Sequence, residues 1–493
     1  MQIGSLIARA ALRYRDAPCL TEGDRTLSFR DFDQATNRLA HALLARGLQK
    51  GDRVAVILPN SIDCLIAYYA LAKAGVIRVQ LNVRETLENH RYKIADSGSR
   101  CVLHTDIAGL DAEILIGWDE LKGMIATGSP EPINIERGLD EPLRFGYTGG
   151  TTGKPKAVTL TTRGELVEMT AFLTDLMPGL EHGKVFLHAS PIAHASGAFF
   201  LPSLNRGVHS LIMTKFDAAD FLNLAEQSGA AYSFLVPTML AMILEAPGIT
   251  TAKLAFERIA YGAASIAPSL MRRAEERFGR LFVQCYGQAE SPMVITYLEP
   301  ADHDRVGSCG RPFSVVEVAV FDEKDQPLPP GERGEIVCRG PQTMAYYWNR
   351  PEATAEAFRN GWLHTGDIGT MDTDGFFYIV DRKNDMLVSG GYNVYPREVE
   401  DVLLAFPGVI EAAVVGIPHE HWGDQVVAVV AGRPDLDMDG LNAHAREQLA
   451  NFKRPKAILC WPELPKSAAN KILRRSVRDR LLESGDKVAE PAI

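Results

Sequence analysis

Strand-length apolar runs alternate along the chain with stretches of helical period, and this alternation predicts an α/β fold. Two further features agree: a glycine-rich loop set between strand-like segments, and a compact mixed unit after a charged run at 381–385. In chain order, Ser28-Phe29-Arg30-Asp31 opens a helix, Leu39, Leu43 and Leu44 continue it at helical spacing, and Gly47 ends it. Residues 54–58 form an uninterrupted apolar run and read as a buried strand. A helix over 63–74, broken by Gly75, and an extended segment at 76–81 repeat the unit. Farther on, Pro327-Leu328-Pro329-Pro330-Gly331 marks a turn between two strand-like runs.

The loop is the most informative segment. Tyr147-Thr148-Gly149-Gly150-Thr151-Thr152-Gly153-Lys154-Pro155-Lys156 packs three glycines, three threonines and two lysines into ten residues. Glycines let backbone N–H groups approach a ligand, hydroxyls add donors, and lysine supplies a compact positive charge, a chemistry suited to polyphosphate. It is not a Walker A loop, because three residues rather than four separate Gly149 from Gly153 and Pro155 follows Lys154. The flanks at 143–146 and 157–162 read as strands, so the loop joins two strands and does not open a helix.

With 493 residues and 46% hydrophobic content, the chain is long enough for two or more domains with sizeable cores. A net charge of -10 disfavours nucleic acid as a partner; the basic residues cluster only near the C-terminus, between Lys453 and Arg480. The seven cysteines are scattered, with no Cys-x-x-Cys pair, which suits a reducing cytoplasm. No segment has the length of a membrane span. His419-Glu420-His421 lacks the spacing of a zinc-protease helix, and no Gly-x-Ser-x-Gly offers a hydrolase nucleophile.

After the charged run Asp381-Arg382-Lys383-Asn384-Asp385, strands are expected at 412–417 and 425–431, helices at 396–405 and 441–451, and a basic helix last. The run reads as a polar hinge.

Together the segments resemble the adenylate-forming superfamily of acyl-CoA synthetases, luciferases and nonribosomal adenylation domains, over nearly the whole chain. Besides the loop, the matching blocks are Tyr286-Gly287-Gln288-Ala289-Glu290, Gly361-Trp362-Leu363-His364-Thr365-Gly366-Asp367, the charged run, Ser389-Gly390-Gly391-Tyr392-Asn393-Val394-Tyr395-Pro396, and Pro465-Lys466-Ser467-Ala468-Ala469-Asn470-Lys471-Ile472-Leu473.

The resemblance implies a large N-terminal domain over 1–382, built of several subdomains with mixed sheets and helices, and a small mobile α+β C-terminal domain over 383–493. It implies two steps: a carboxylate attacks the α-phosphate of ATP to give an acyl adenylate and pyrophosphate, and a thiol, usually coenzyme A, then displaces AMP. In that reading Lys471 bridges carboxylate and α-phosphate, and Glu290 with the Thr151 hydroxyl holds Mg²⁺. His194 stands at the carboxylate entrance. ATP or AMP is held by Thr148, Gly149, Gly150, Thr151, Thr152, Gly153 and Lys154, by Gly262, Ala263 and Ala264, and by Tyr286, Gly287, Gln288 and Ala289. Asp367, supported by Arg382, takes the ribose hydroxyls, and Ile379 lies nearby. Phe199, Val236, Gly262 and Ser291 line the acyl pocket, Gly390 and Gly391 the coenzyme A tunnel, and Asn384 is the hinge.

The mostly small or apolar pocket segments favour a fatty or aromatic acid. Amino acid activation is disfavoured, since His194 stands where relatives that activate amino acids place an aspartate. Gly149 and Ala289 replace the usual hydroxyl residues, Ala157 and Asn470 the usual glycines, and Asn384 lacks the charge frequent at the hinge. The expected partners are a small-molecule carboxylic acid, ATP and coenzyme A, with the protein a monomer or homodimer. The competing readings are delivery of the acyl group to a carrier protein or other acceptor, and nucleotide binding without turnover.

Overall fold

The computed structural model describes residues 2–148, 154–383, 385–419, 422–467 and 472–484. The first predicted helix is Phe29–Ala45. It starts where Ser28 Oγ accepts the Asp31 N–H at 3.0 Å and the Asp31 carboxylate accepts the Ser28 N–H at 3.1 Å, a reciprocal cap. Gly47, at φ +90°, turns the chain away after it. The strand Arg53–Ile57, the helix Ile62–Lys73 and the strand Ile77–Gln80 follow, each within one residue of expectation.

These strands build a seven-stranded sheet ordered Tyr346–Tyr347, Ala157–Thr161, Pro142–Tyr147, Ile77–Gln80, Arg53–Ile57, Cys101–His104, Ile114–Ile116. From Pro142–Tyr147 onward the pairing is parallel. A fourteen-stranded sheet has a parallel centre, His209–Ile212, Val185–His188, Tyr232–Leu235, Arg258–Gly262 and Phe282–Gln288. Antiparallel strands from Ser291–Leu298 to Phe377–Arg382, Trp362–Met371 and Gly334–Arg339 extend it. The two layers share a core: the ring of Phe200 meets Phe32 and Tyr69 at centroid distances of 5.2 Å, and all three are buried.

The small unit is a five-stranded sheet of Tyr392–Val394, Leu387–Ser389, Gly423–Gly432, Val409–His419 and Ala457–Cys460. Side chains alternate across its central strand. Val426, Ala428 and Val430 pack with Val399, Leu403 and Leu441, while Val427 and Val429 pack with Trp461, Leu464 and Val477 on the opposite face. The helix expected at 396–405 is Pro396–Leu404, and the basic helix is Arg474–Ser484. The helix expected at 441–451 instead runs Met438–Gln448, because Asp437 caps it by accepting the Gly440 N–H at 2.9 Å. Among the described residues, no helix is long and apolar enough to cross a membrane.

Candidate active site

The glycine-rich loop crowns a β-hairpin, as its flanks predict. Pro142–Tyr147 pairs antiparallel with Ala157–Thr161, with Tyr147 opposite Ala157. Thr148 closes the neck: its N–H donates to the Lys156 carbonyl at 3.1 Å, and its Oγ1 accepts the Lys156 N–H at 3.0 Å. Gly149, Gly150, Thr151, Thr152 and Gly153 lie outside the described residues. The Lys154 ammonium stands 5.4 Å from the ring centre of Tyr92, whose hydroxyl donates to the Pro155 carbonyl at 2.9 Å.

A second tight turn carries Tyr286 to Glu290 between Phe282–Gln288 and Ser291–Leu298. The chain doubles back so closely that a Cβ on Gly287 would lie 2.3 Å from the Met293 nitrogen, and Met293 itself sits at φ +56°. Beside it ends the strand Arg258–Gly262, where a Cβ on Gly262 would lie 2.4 Å from the Cys285 carbonyl oxygen. Ala263 then takes a left-handed φ of +69°, and Ala263 and Ala264 are exposed at the strand's carboxyl end. Side-chain-bearing residues held in that region concentrate at ligand sites, and here a whole sheet edge enforces the conformation.

The predicted ribose and adenine residues are in contact. Tyr286 donates its phenol hydrogen to Asp367 Oδ2 at 2.5 Å, and Arg382 Nε stands 3.2 Å from Asp367 Oδ1. Burial, and then the neighbouring Asp367 charge, hold the Tyr286 phenol well above its usual pKa, so it remains a donor. The same carboxylate raises the pKa of Arg382. Ile379 lies three residues before Arg382 in the strand Phe377–Arg382, its carbonyl accepting Arg397 Nη1 at 3.1 Å.

Glu290 is held twice from one segment: its carbonyl accepts the Met344 N–H at 2.7 Å, and its Oε1 accepts the Tyr347 phenol at 2.5 Å. Among the described residues, no group of three or more His, Cys, Asp or Glu is arranged to hold a metal ion by itself. A hard cation completed by nucleotide oxygens and water, as Mg²⁺ is, fits a single carboxylate.

His194 is exposed at the start of the short helix Ala195–Ala198. Its loop is pinned from below: Asn60 accepts the Ile192 N–H at 2.7 Å and donates to the Ser190 carbonyl at 3.0 Å. The fully buried His188 links Ser196 Oγ, 3.0 Å from Nδ1, to Ser210 Oγ, 3.2 Å from Nε2. Burial lowers its pKa to about 3, so the imidazole is neutral. A small cavity of about 40 Å³ lies beside this loop, lined by Asn60, Asn82, Pro191, Ala193 and Met239 among others. A larger groove of about 560 Å³ between the helices Ile3–Tyr14 and Phe29–Ala45 holds none of the predicted site residues.

Of the predicted acyl-pocket residues, Val236 stands at the start of the helix Pro237–Glu245. Phe199 and Ser291 have no exposed surface. Phe199 packs against Phe172, Phe186 and Phe234, and the Ser291 hydroxyl donates to the Val294 carbonyl at 3.0 Å. Gly390 and Gly391, at φ +58° and +81°, turn the hairpin of the small domain, with Gly390 N–H donating to the Trp422 carbonyl at 2.8 Å. Asn384 and Lys471 lie outside the described residues. The residues flanking Lys471 are paired, by a Lys466–Ile472 bridge and by Leu473 N–H donating to the Pro465 carbonyl at 2.9 Å. Arg474 joins the domains, reaching Glu400 at 2.6 Å, Asp385 at 2.9 Å and Asp381 at 3.1 Å.

Tyr347, Asn60 and His188 escape a reading of the sequence. Their signal is faint: an aromatic run at Tyr346-Tyr347-Trp348, and polar residues at the ends of apolar strands.

Fold and site together define an adenylate-forming enzyme. The chain belongs to the AMP-binding enzyme family: the family's main domain matches residues 7–348 and its C-terminal domain residues 398–471. It is 35% identical to the medium/long-chain-fatty-acid–CoA ligase FadD8 of Mycobacterium tuberculosis, across 98% of this chain and 91% of that one. It is 36% identical to a feruloyl-CoA synthase of Amycolatopsis sp, across 97% and 99%. Its fold matches o-succinylbenzoate CoA synthetase of Bacillus subtilis, solved with its acyl-adenylate intermediate, at a TM-score of 0.87, 29% identity, and coverage of 96% and 98%.

Proposed function

We propose that the protein is an AMP-forming acid–CoA ligase: it activates a fatty or aromatic carboxylic acid with ATP and passes the acyl group to coenzyme A. The observation that carries this reading is the convergence of Tyr286, Asp367 and Arg382 at hydrogen-bond and ion-pair distance, with Glu290 in the turn that follows the Tyr286 strand.

The first step must bring a carboxylate to a polyphosphate, and two like charges about 4 Å apart repel by about 4 kcal/mol at an effective dielectric near 20. Lys154 and the backbone of the hairpin loop neutralise phosphate oxygens. Lys471 bridges the incoming carboxylate and the α-phosphate, and stabilises the charge that builds up in the transition state. Glu290 and Thr151 are the residues that would hold Mg²⁺, which when bound acts as a Lewis acid on phosphate oxygens. Asp367 and Arg382 fix the ribose, Tyr286 faces the adenine, and His194 guides the acid. For the second step the domain over 383–493 turns about Asn384 against the domain over 1–382. This withdraws Lys471 and brings Gly390 and Gly391 in to admit the pantetheine arm.

All seven cysteines are unpaired, which supports a reducing cytoplasmic setting. The identities to a fatty acid ligase and to a feruloyl-CoA synthase are nearly equal, which supports a hydrophobic acid without dividing chain from ring.

A carboxylic acid panel assayed for ATP–pyrophosphate exchange, followed by mass spectrometry of the coenzyme A products, tests this. Exchange and thioester with the same acids are expected. Exchange without thioester would move the acceptor to a carrier protein, and no exchange with any acid would leave a nucleotide-binding protein.

A further inference from the structure

We propose that Tyr347 is the positioning residue for Glu290, holding that carboxylate in register with the glycine-rich hairpin; the inference rests on the assignment of Glu290 as the Mg²⁺ ligand. The segment Met344 to Trp348 touches both the strands of the glycine-rich hairpin and Glu290. On one side Ala345 N–H and Trp348 N–H each donate at 2.9 Å to the carbonyls of Thr159 and Ala157, so Tyr346 and Tyr347 run as a third strand on the hairpin. The Lys156 ammonium also sits 4.3 Å from the centre of the Tyr347 ring. On the other side the segment holds Glu290 at two points, its carbonyl through the Met344 N–H and its Oε1 through the Tyr347 phenol.

The chemistry of that phenol is specific. Tyr347 is 6% exposed, and its ring and backbone already pack and pair without the hydroxyl. The O–H is directed to one carboxylate oxygen, while Oε2 accepts no hydrogen bond among the described residues. A donor on one oxygen stops the carboxylate from rotating and fixes the direction of the other oxygen's lone pairs. This is how outer partners tune a metal ligand. Because the same residue is part of a strand paired to the hairpin, the carboxylate is tied to the hairpin's strands, although Tyr347 and Glu290 are 57 positions apart.

Tyr347→Phe deletes only the phenol. Mn²⁺ titrated into protein carrying a non-hydrolysable ATP analogue, with free Mn²⁺ read by electron paramagnetic resonance, gives the metal affinity directly. The Mn²⁺ Kd is expected to rise about tenfold, the usual loss when an outer partner of a metal ligand is removed. Binding of the analogue without metal should stay unchanged. If Glu290→Gln leaves Mn²⁺ affinity intact, the metal assignment itself falls. If Glu290→Gln weakens Mn²⁺ and Tyr347→Phe does not, the positioning role alone falls. The double variant should bind Mn²⁺ no more weakly than Glu290→Gln. A further loss in the double variant would overturn the inference, and this comparison stays decisive even if the phenol's removal loosens the fold, because general loosening adds to the first defect.

Discussion

Gly262 and Gly287 of the large domain and Gly391 of the small one stand in opposite surroundings. At Gly262 and Gly287 an added Cβ would meet backbone atoms at 2.4 and 2.3 Å, whereas at Gly391 nothing lies within 4 Å. The large domain uses glycine to press strands together at the nucleotide site, and it holds Ala263 and Met293 in left-handed conformations there. The small domain uses glycine to leave a turn open. Its ties to the large domain near the junction are polar, made by Arg397 to Asp381 and the Ile379 carbonyl and by Arg474 to Asp381, rather than a shared apolar core. Under the proposed function the contrast teaches a division of labour: a closely packed template for ATP, and a separately cored module to which the proposal gives first an ammonium and then a passage.

The largest expected effect breaks the module's first role. Lys471→Ala should cut ATP–pyrophosphate exchange by about 10²- to 10³-fold, the scale for loss of one transition-state charge partner. Conversion of supplied acyl adenylate to thioester by coenzyme A should change far less; equal losses in both half-reactions would contradict the division. Next, Gly287→Ala should destabilise the large domain by about 2 kcal/mol, the cost of overpacking against backbone that cannot yield, and weaken ATP binding. Gly391→Ala, which meets only the φ +81° strain, should leave exchange intact and slow the thioester step alone. Thermal unfolding and the two half-reaction assays separate these outcomes. Asp367→Asn should raise the Kd for AMP about tenfold by calorimetry, since a charge-assisted hydrogen bond contributes about 1.5 to 3 kcal/mol.

A last test probes the large domain's packing through His188. Burial lowers its pKa to about 3 in the folded protein, from 6.5, so the unfolded chain takes up the proton first. Its contribution is therefore complete above pH 6.5 and is lost as the pH falls toward 3, about 2 kcal/mol by pH 5. Urea unfolding at pH 8 and pH 5 should show that loss in the wild type and not in His188→Gln. An equal pH dependence in both would mean the imidazole is not held neutral.

The local elements were legible because their signals are local. Ser28 and Asp31 cap a helix from three positions apart, and Thr148 and Lys156 close a hairpin whose flanks show their strand character. The small domain's later helix starts three residues before the expected position, since Asp437 lies outside the apolar periodicity that defined it. The nucleotide residues were legible only through blocks that resemble a known family. Period and propensity carry nothing that places Tyr286 on Asp367, 81 positions away. Tyr347, Asn60 and His188 were illegible for the same reason: each acts by a hydrogen bond to a residue 22 to 132 positions away, and sequence spacing does not encode such a contact.

A crystal structure with Mg²⁺ and a non-hydrolysable ATP analogue tests the central claim most directly. The account predicts the phosphates over residues 148–154, the ribose hydroxyls on Asp367, and the Lys471 ammonium within hydrogen-bond reach of the α-phosphate. Phosphates bound elsewhere, with the small domain unable to bring Lys471 to them, would contradict it.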